Sequence, residues 1–152
     1  MPAAATDVCA IDFGTSNSTV SVAAETGPAR LIALEGEAVT LPSAVFWEAD
    51  GAPPVFGRAA IAAYVSGEDG RLMRGLKSTL GSSLIDEKTR IGARAVAFRD
   101  VLARYIGHLR GLLVAEAGAV SQVVLGRPVH FVDDDAAGDM SCTEPPSPPS
   151  VG

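Results

Sequence analysis

The sequence predicts a mixed α/β fold, and three observations carry that prediction. Short apolar runs with β-branched residues recur through the first third of the chain, and a helical repeat of apolar residues begins near residue 98. A further apolar run follows that helix. Strands, then a helix, then another strand are typical of a sheet covered by helices. The chain of 152 residues is 47% hydrophobic and 20% charged, which is the composition of a globular domain with a core.

Four short strands are predicted in the first third of the chain. Val8–Phe13 is a compact apolar run, and Thr19–Ala24 alternates polar and apolar residues, as a half-buried strand does. Ala29–Leu34 follows the break at Gly27-Pro28. We expect these three strands to form an antiparallel meander. Ser43–Glu48 is the fourth predicted strand.

The middle of the chain has a less regular pattern. Arg58–Val65 is rich in alanine and predicts a short helix, which the glycines that follow would end. Gly70–Ser83 is basic and interrupted by glycine, so its class stays open. Thr89–Ala97 is strand-like.

A long amphipathic helix is the clearest element. It is predicted to begin near Phe98 and to end near Gly118, with His108 on its solvated side. The apolar positions at helical spacing are Phe98, Val101, Leu102, Tyr105, Leu109, Leu112 and Leu113. Ser121–Phe131 then predicts a buried strand.

The last part of the chain differs in composition. Residues 133–152 are acidic and then rich in proline, so we expect them to be disordered, after a first unit of residues 1–132. A strand that lies parallel in a sheet is normally followed by a helix that covers it. No helical pattern follows Phe131, so we expect the chain to stop partway through a larger domain.

Charge and targeting signals exclude several classes of function. The net charge is −6, so we expect neither nucleic acid nor an anionic membrane as a partner. The N-terminus lacks the pattern of a signal peptide, and no apolar run approaches the length of a membrane helix. The two cysteines, Cys9 and Cys142, lie in very different segments and are expected to stay reduced. These observations predict a cytoplasmic protein.

The stretch CAIDFGTSNSTV, residues 9–20, is the strongest candidate for a binding site. Gly14 allows close approach of the backbone, and the N–H groups of Thr15, Ser16 and Asn17 are able to converge on one anion. Asp12 ends the strand beside them, and Mg²⁺ that keeps its waters would bridge this carboxylate to a phosphate. Neither the P-loop pattern nor Gly-x-Gly-x-x-Gly is present. An ordinary hairpin turn uses the same residue types, so the residues alone leave both interpretations open.

A set of five segments resembles the heat-shock protein 70 family of the actin-like ATPase superfamily. Residues 10–20, AIDFGTSNSTV, are similar to the first phosphate loop of that superfamily. LPSAVFW (Leu41–Trp47), FGRAAIAAY (Phe56–Tyr64), LKSTLG (Leu76–Gly81) and VVLGRPVHF (Val123–Phe131) resemble later segments in the same order. The last segment and the sequence FGTSNS are most similar to the YegD-like branch of these chaperones.

The resemblance implies a partial actin-like ATPase domain of ribonuclease H-like fold, with ATP or ADP and Mg²⁺ as ligands. It implies that Asp12 holds Mg²⁺ through water and that Gly14, Thr15 and Ser16 contact the β- and γ-phosphates. Asn17 replaces an aromatic residue of the family, and its role stays open. The whole protein would then be an ATP-dependent chaperone with unfolded clients and co-chaperones as partners.

Two departures from the family pattern limit that implication. The position of a family lysine that acts near the γ-phosphate is Ile61, which donates no hydrogen bond and stabilises no charge. The second phosphate loop and the adenosine site of the family have no counterpart in the chain. The sequence therefore predicts an incomplete nucleotide-binding domain that is inactive by itself. A sugar or acetate kinase relative and a non-catalytic interaction module or truncated remnant remain alternatives.

Overall fold

The structure is a computed structural model that describes residues 8–23 and 27–126. The predictions for Arg127–Phe131, for the acidic and proline-rich segment and for Cys142 lie outside these residues. The strands are β1 (Val8–Phe13), β2 (Asn17–Val22), β3 (Arg30–Leu31), β4 (Thr40–Pro42), β5 (Ala44–Glu48), β6 (Val55–Phe56), β7 (Gly70–Arg74), β8 (Lys88–Ile91), β9 (Arg94–Ala97) and β10 (Gln122–Leu125). The α-helices are α1 (Gly57–Val65) and α2 (Phe98–Ala117), and two short 3₁₀ helices cover Leu76–Thr79 and Ser83–Asp86.

The main sheet has the strand order β10-β1-β2-β3, with β4 also paired to β2. β1 and β2 are antiparallel, and their register pairs Phe13 with Ser18. β10 lies parallel to β1 on its other side, and Ile11 pairs with Leu125. This arrangement confirms the predicted antiparallel pairing of the first three strands.

One face of the main sheet packs against α2. Successive residues of a strand point to opposite faces, so Cys9, Ile11 and Phe13 lie on the same face of β1, and all three are buried. From α2, buried side chains recur at the helical spacing that the sequence predicts. They are Val101, Tyr105, Leu109, Leu113 and Ala117. Gly118 ends the helix in a backbone conformation with positive φ, as expected.

β5 is buried on both of its faces, and it joins two core clusters. Val45 and Trp47 belong to the large cluster that includes α2. Ala44 and Phe46 point the other way and pack with Ala60 and other residues of α1. The small sheet β6-β5-β7 therefore lies between α1 and the main core.

The structure confirms a mixed α/β architecture, but three local predictions need correction. β3 has two residues, Arg30–Leu31, where six residues of strand were predicted. β2 begins at Asn17, so the predicted turn is shorter than the sequence suggested. Each residue of β10 is exposed, although the apolar run predicted a buried strand. Among the described residues, β10 is an edge strand that pairs with β1 alone.

The structure assigns Gly70–Ser83, whose class the sequence left open, and Thr89–Ala97, which the sequence predicted to be strand-like. Gly70–Arg74 forms β7, which pairs with β5, and a 3₁₀ helix follows it. Residues 88–97 form the hairpin of β8 and β9 in place of one strand. In the part of the chain that the structure describes, no helix is long and apolar enough to span a bilayer.

Candidate phosphate-binding loop

The candidate loop connects β1 to β2. The Phe13 and Ser18 pair closes the ladder between these strands. Gly14, Thr15 and Ser16 connect them, and Asn17 is the first residue of β2. This connection, together with Asn17, contains the residues that the sequence singled out for an anion. Asp12 is exposed and lies one residue before the end of β1.

Glycine is required at position 14 because the backbone of Asn17 comes very close to it. A Cβ atom at this position would lie 2.1 Å from the carbonyl oxygen of Asn17, which is far inside van der Waals contact. A side chain is therefore excluded unless the loop moves. The glycine is needed for space here, since Gly14 is not among the glycines with positive φ.

Ser43 fixes the backbone of the loop by two hydrogen bonds. Its hydroxyl donates to the Gly14 carbonyl oxygen at 2.7 Å, and its N–H donates to the Ser16 carbonyl oxygen at 2.9 Å. The Ser18 hydroxyl lies 2.9 Å from the Ser43 hydroxyl, and both side chains are buried. Because the one hydroxyl proton of Ser43 goes to Gly14, Ser18 is the donor in that pair.

Tyr105 extends the same polar cluster into α2. Its hydroxyl donates to the Pro42 carbonyl oxygen at 3.1 Å and approaches the Leu41 carbonyl oxygen at 3.3 Å. Burial raises the pKa of Tyr105, while the hydroxyls of Ser18 and Ser43 act in the opposite direction. The loop, the segment between β4 and β5, and the long helix are therefore linked by buried hydroxyl groups.

Asp12 faces the point where two parallel strands end. Gly126 follows β10, and its N–H donates to the Ile11 carbonyl oxygen at 3.0 Å. A Cβ atom at Gly126 would lie 3.4 Å from Oδ1 of Asp12, so the glycine keeps the space beside this carboxylate open. Ligands of α/β sheets commonly bind at the carboxyl ends of parallel strands.

The outward groups of the loop fit an anion with a hydrated cation. The side chains of Thr15, Ser16 and Asn17 are exposed, and none of them hydrogen-bonds to another described residue. They offer hydroxyl and amide groups, which bind phosphate oxygens, next to one carboxylate. No group of three histidine, cysteine, aspartate or glutamate side chains suited to a metal occurs among the described residues. A single carboxylate suits Mg²⁺, which keeps several waters, better than a metal that needs a full set of protein ligands.

Ile61 lies in a hydrophobic environment. It is half-buried on α1 and packs against the small cluster of Ala44, Phe46, Ala60 and Ala63. Lys77 lies in the 3₁₀ helix after β7. Neither residue makes a hydrogen bond to the loop.

Sequence reasoning missed the support of the loop. Ser43 was assigned to the start of a strand, and Tyr105 was assigned to the apolar face of the helix. A serine after proline and before an apolar strand gives no local sign of a partner 29 residues away, which is the separation of Ser43 and Gly14. A tyrosine on an otherwise aliphatic helix face was the available signal, because a buried tyrosine usually has a partner for its hydroxyl.

No protein-family model and no curated protein matches this chain.

Proposed function

We propose that the loop of Gly14, Thr15, Ser16 and Asn17 binds the phosphates of a nucleotide, with Mg²⁺ held through water by Asp12. One observation carries the proposal. The backbone of the loop is fixed by Ser43, while the polar side chains on the loop point outward beside an exposed carboxylate. A prearranged set of donors loses less conformational entropy when an anion binds.

The nucleotide that we propose is ATP or ADP. This choice depends on the resemblance of the five segments to the heat-shock protein 70 family, in which such a loop contacts β- and γ-phosphates. For the whole protein the same resemblance supports the role of an ATP-dependent chaperone with client proteins and co-chaperones. A sugar or acetate kinase would share the loop and would differ in the phosphate acceptor.

A second candidate is a module that binds nucleotide without hydrolysing it, or that acts only through protein contacts. The packing of Ile61 favours it, because an aliphatic side chain in the small core cluster supplies no charge to a phosphoryl group. Nucleotide binding without turnover would support this candidate, and release of phosphate at a rate above background would contradict it.

The test is titration of the ¹⁵N-labelled chain with ATP, in the presence and in the absence of Mg²⁺. We expect amide shifts at Gly14, Thr15 and Ser16 that saturate at millimolar ATP, because one loop supplies few contacts. The shifts should be larger with Mg²⁺. Asp12→Asn should remove the difference between the two titrations, since the amide that replaces the carboxylate binds hydrated Mg²⁺ poorly.

Glu37→Gln is the matched control, because Glu37 is an exposed carboxylate with no ion pair among the described residues. It should keep the Mg²⁺ dependence of the wild type. Absence of any saturable shift in the loop would refute the proposal, and so would equal Mg²⁺ dependence in Asp12→Asn and the wild type.

A further inference from the structure

An open cavity of about 470 Å³ lies on the side of the small sheet that faces α2 and the hairpin of β8 and β9. This volume is within the usual range for small-molecule sites, about 300 to 1,000 Å³. The residues that line it are Trp47, Arg94, Ala95, Val96, Asp100, Ala103 and Arg104. None of them belongs to the candidate phosphate loop.

Three separate elements position the charged and aromatic groups of this cavity. Trp47 comes from β5, and the guanidinium of Arg104 lies 5.4 Å from the centroid of its ring. Asp100 and Arg104 are one helical turn apart on α2 and share one face. Arg94 is the first residue of β9. Its guanidinium lies beside Gly51, where an added Cβ atom would be 3.3 Å from Nη2.

Both guanidinium groups are available to a ligand. Neither Arg94 nor Arg104 forms an ion pair with a carboxylate of the described residues, whereas Arg30, Arg58 and Arg99 do. The chain as a whole carries a net charge of −6, whereas positive side chains outnumber negative ones around this cavity. A guanidinium binds a carboxylate with two parallel hydrogen bonds.

We propose that this cavity binds a small organic acid with one carboxylate and an apolar body. The two arginines and Asp100 sum to a charge of +1, which a single carboxylate neutralises. The hydrocarbon part of the ligand would pack against Ala95, Val96 and Ala103. The carboxylate would lie between Arg94 and Arg104, away from Asp100.

Trp47 is the only tryptophan of the chain, so its indole N–H gives a single signal from a residue that lines this cavity. The probe is cyclohexanecarboxylate, and its neutral counterpart is cyclohexanecarboxamide, which has the same ring. We expect a saturable shift of the Trp47 signal with the acid, and binding weaker by on the order of tenfold with the amide. Added salt should weaken binding of the acid.

Three variants and one control variant test the assignment of charges. Arg94→Gln and Arg104→Gln should each weaken binding of the acid by on the order of tenfold, and Arg110→Gln, an exposed position further along α2, should leave it within about twofold. Asp100→Asn should tighten binding, because it removes a like charge beside the ligand. Amide shifts outside the cavity verify that each variant is folded. Arg94→Gln leaves the contact between Arg104 and Trp47 in place, so it remains informative if Arg104→Gln unfolds the chain.

Equal binding of the acid and the amide would overturn the proposal. The same holds if the Trp47 signal does not shift at tens of millimolar acid, or if Arg110→Gln weakens binding as much as Arg94→Gln does.

Discussion

Ser43 shows how one buried hydroxyl determines the shape of the candidate site. It is 2% exposed, and it donates to Gly14 while it accepts from Ser18. Removing it leaves the buried Ser18 hydroxyl and the carbonyl of half-buried Gly14 without their partner, and a buried polar group without a partner costs more than the bond itself contributes.

We therefore predict that Ser43→Ala lowers the free energy of unfolding by about 1 to 3 kcal/mol, as measured by urea denaturation. Ser83→Ala is the control, because Ser83 is exposed and makes no side-chain hydrogen bond among the described residues, and it should change stability by less than about 0.5 kcal/mol. The Gly14 and Ser16 amides should also shift in Ser43→Ala. A variant as stable as the wild type, with unchanged loop signals, would contradict the supporting role of Ser43.

At the scale of elements, Gly107 and Gly14 differ in whether the structure leaves space for a side chain. Gly107 lies in the middle of α2, where it is exposed, and a Cβ atom would meet nothing within 4 Å. Glycine in a helix interior costs about 0.5 to 1 kcal/mol relative to alanine, because its backbone loses more freedom on folding. Gly14 has the opposite environment, since a Cβ atom there collides with the Asn17 carbonyl oxygen.

We predict that Gly107→Ala raises the free energy of unfolding by about 0.5 to 1 kcal/mol and that Gly14→Ala lowers it. Both changes add the same methyl group, so each serves as the control for the other in parallel urea titrations. A loss of stability in Gly107→Ala would mean that α2 packs against something along this exposed face.

Elements that form through local sequence patterns could be predicted, and features that depend on tertiary contacts could not. The period of α2 was predictable, since the buried positions Val101, Tyr105 and Leu109 follow from local geometry. The turn after β1 was also recognisable from Gly14 and its polar neighbours. The exposure of Val124 was not predictable, because it depends on what lies beside the strand and not on the apolar run itself.

The candidate site was predictable in its parts and not in its assembly. Asp12 and the loop were found because their residue types are adjacent in sequence. Ser43 and Gly126 approach the loop and Asp12 only through tertiary contacts, and no local pattern distinguishes them from ordinary strand and turn residues. Tyr105 differs from its neighbours only as a tyrosine on an aliphatic helix face, which does not identify its partner. The hairpin at residues 88–97 was missed because the stretch was interpreted as one strand, although Gly92 reverses the chain within it.

At the scale of the whole molecule, His108 connects the two packed parts of the fold. Its ring stacks on Phe56 with centroids 4.4 Å apart and planes 14° from parallel. Phe56 ends β6 and leads directly into α1, so this stack ties α2 to the small sheet and its helix. The histidine is half-buried, which corrects the prediction of a solvated side chain on the polar face.

Burial lowers the pKa of His108, and the negative charge of Glu35 acts in the opposite direction. Glu35 is itself paired with Arg58 and accepts hydrogen bonds from the first N–H groups of α1, so part of its charge is already neutralised. The folded state consequently favours neutral His108, and the unfolded chain binds the proton more readily. The stabilisation is complete above the ordinary histidine pKa of about 6.5, and it is lost as the pH falls below that value through the lowered pKa of the folded state.

We predict that the free energy of unfolding decreases as the pH is lowered from about 7.5 to about 5.5, above the range where most carboxylates titrate. His108→Phe keeps a ring against Phe56 but removes the titrating group, so its stability should change little over this interval. His130→Gln removes the only other histidine of the chain and should retain the decrease. Urea midpoints measured at several pH values test these expectations. If His108→Phe loses stability as steeply as the wild type, another group is responsible for the effect, and the stack on Phe56 does not couple folding to protonation.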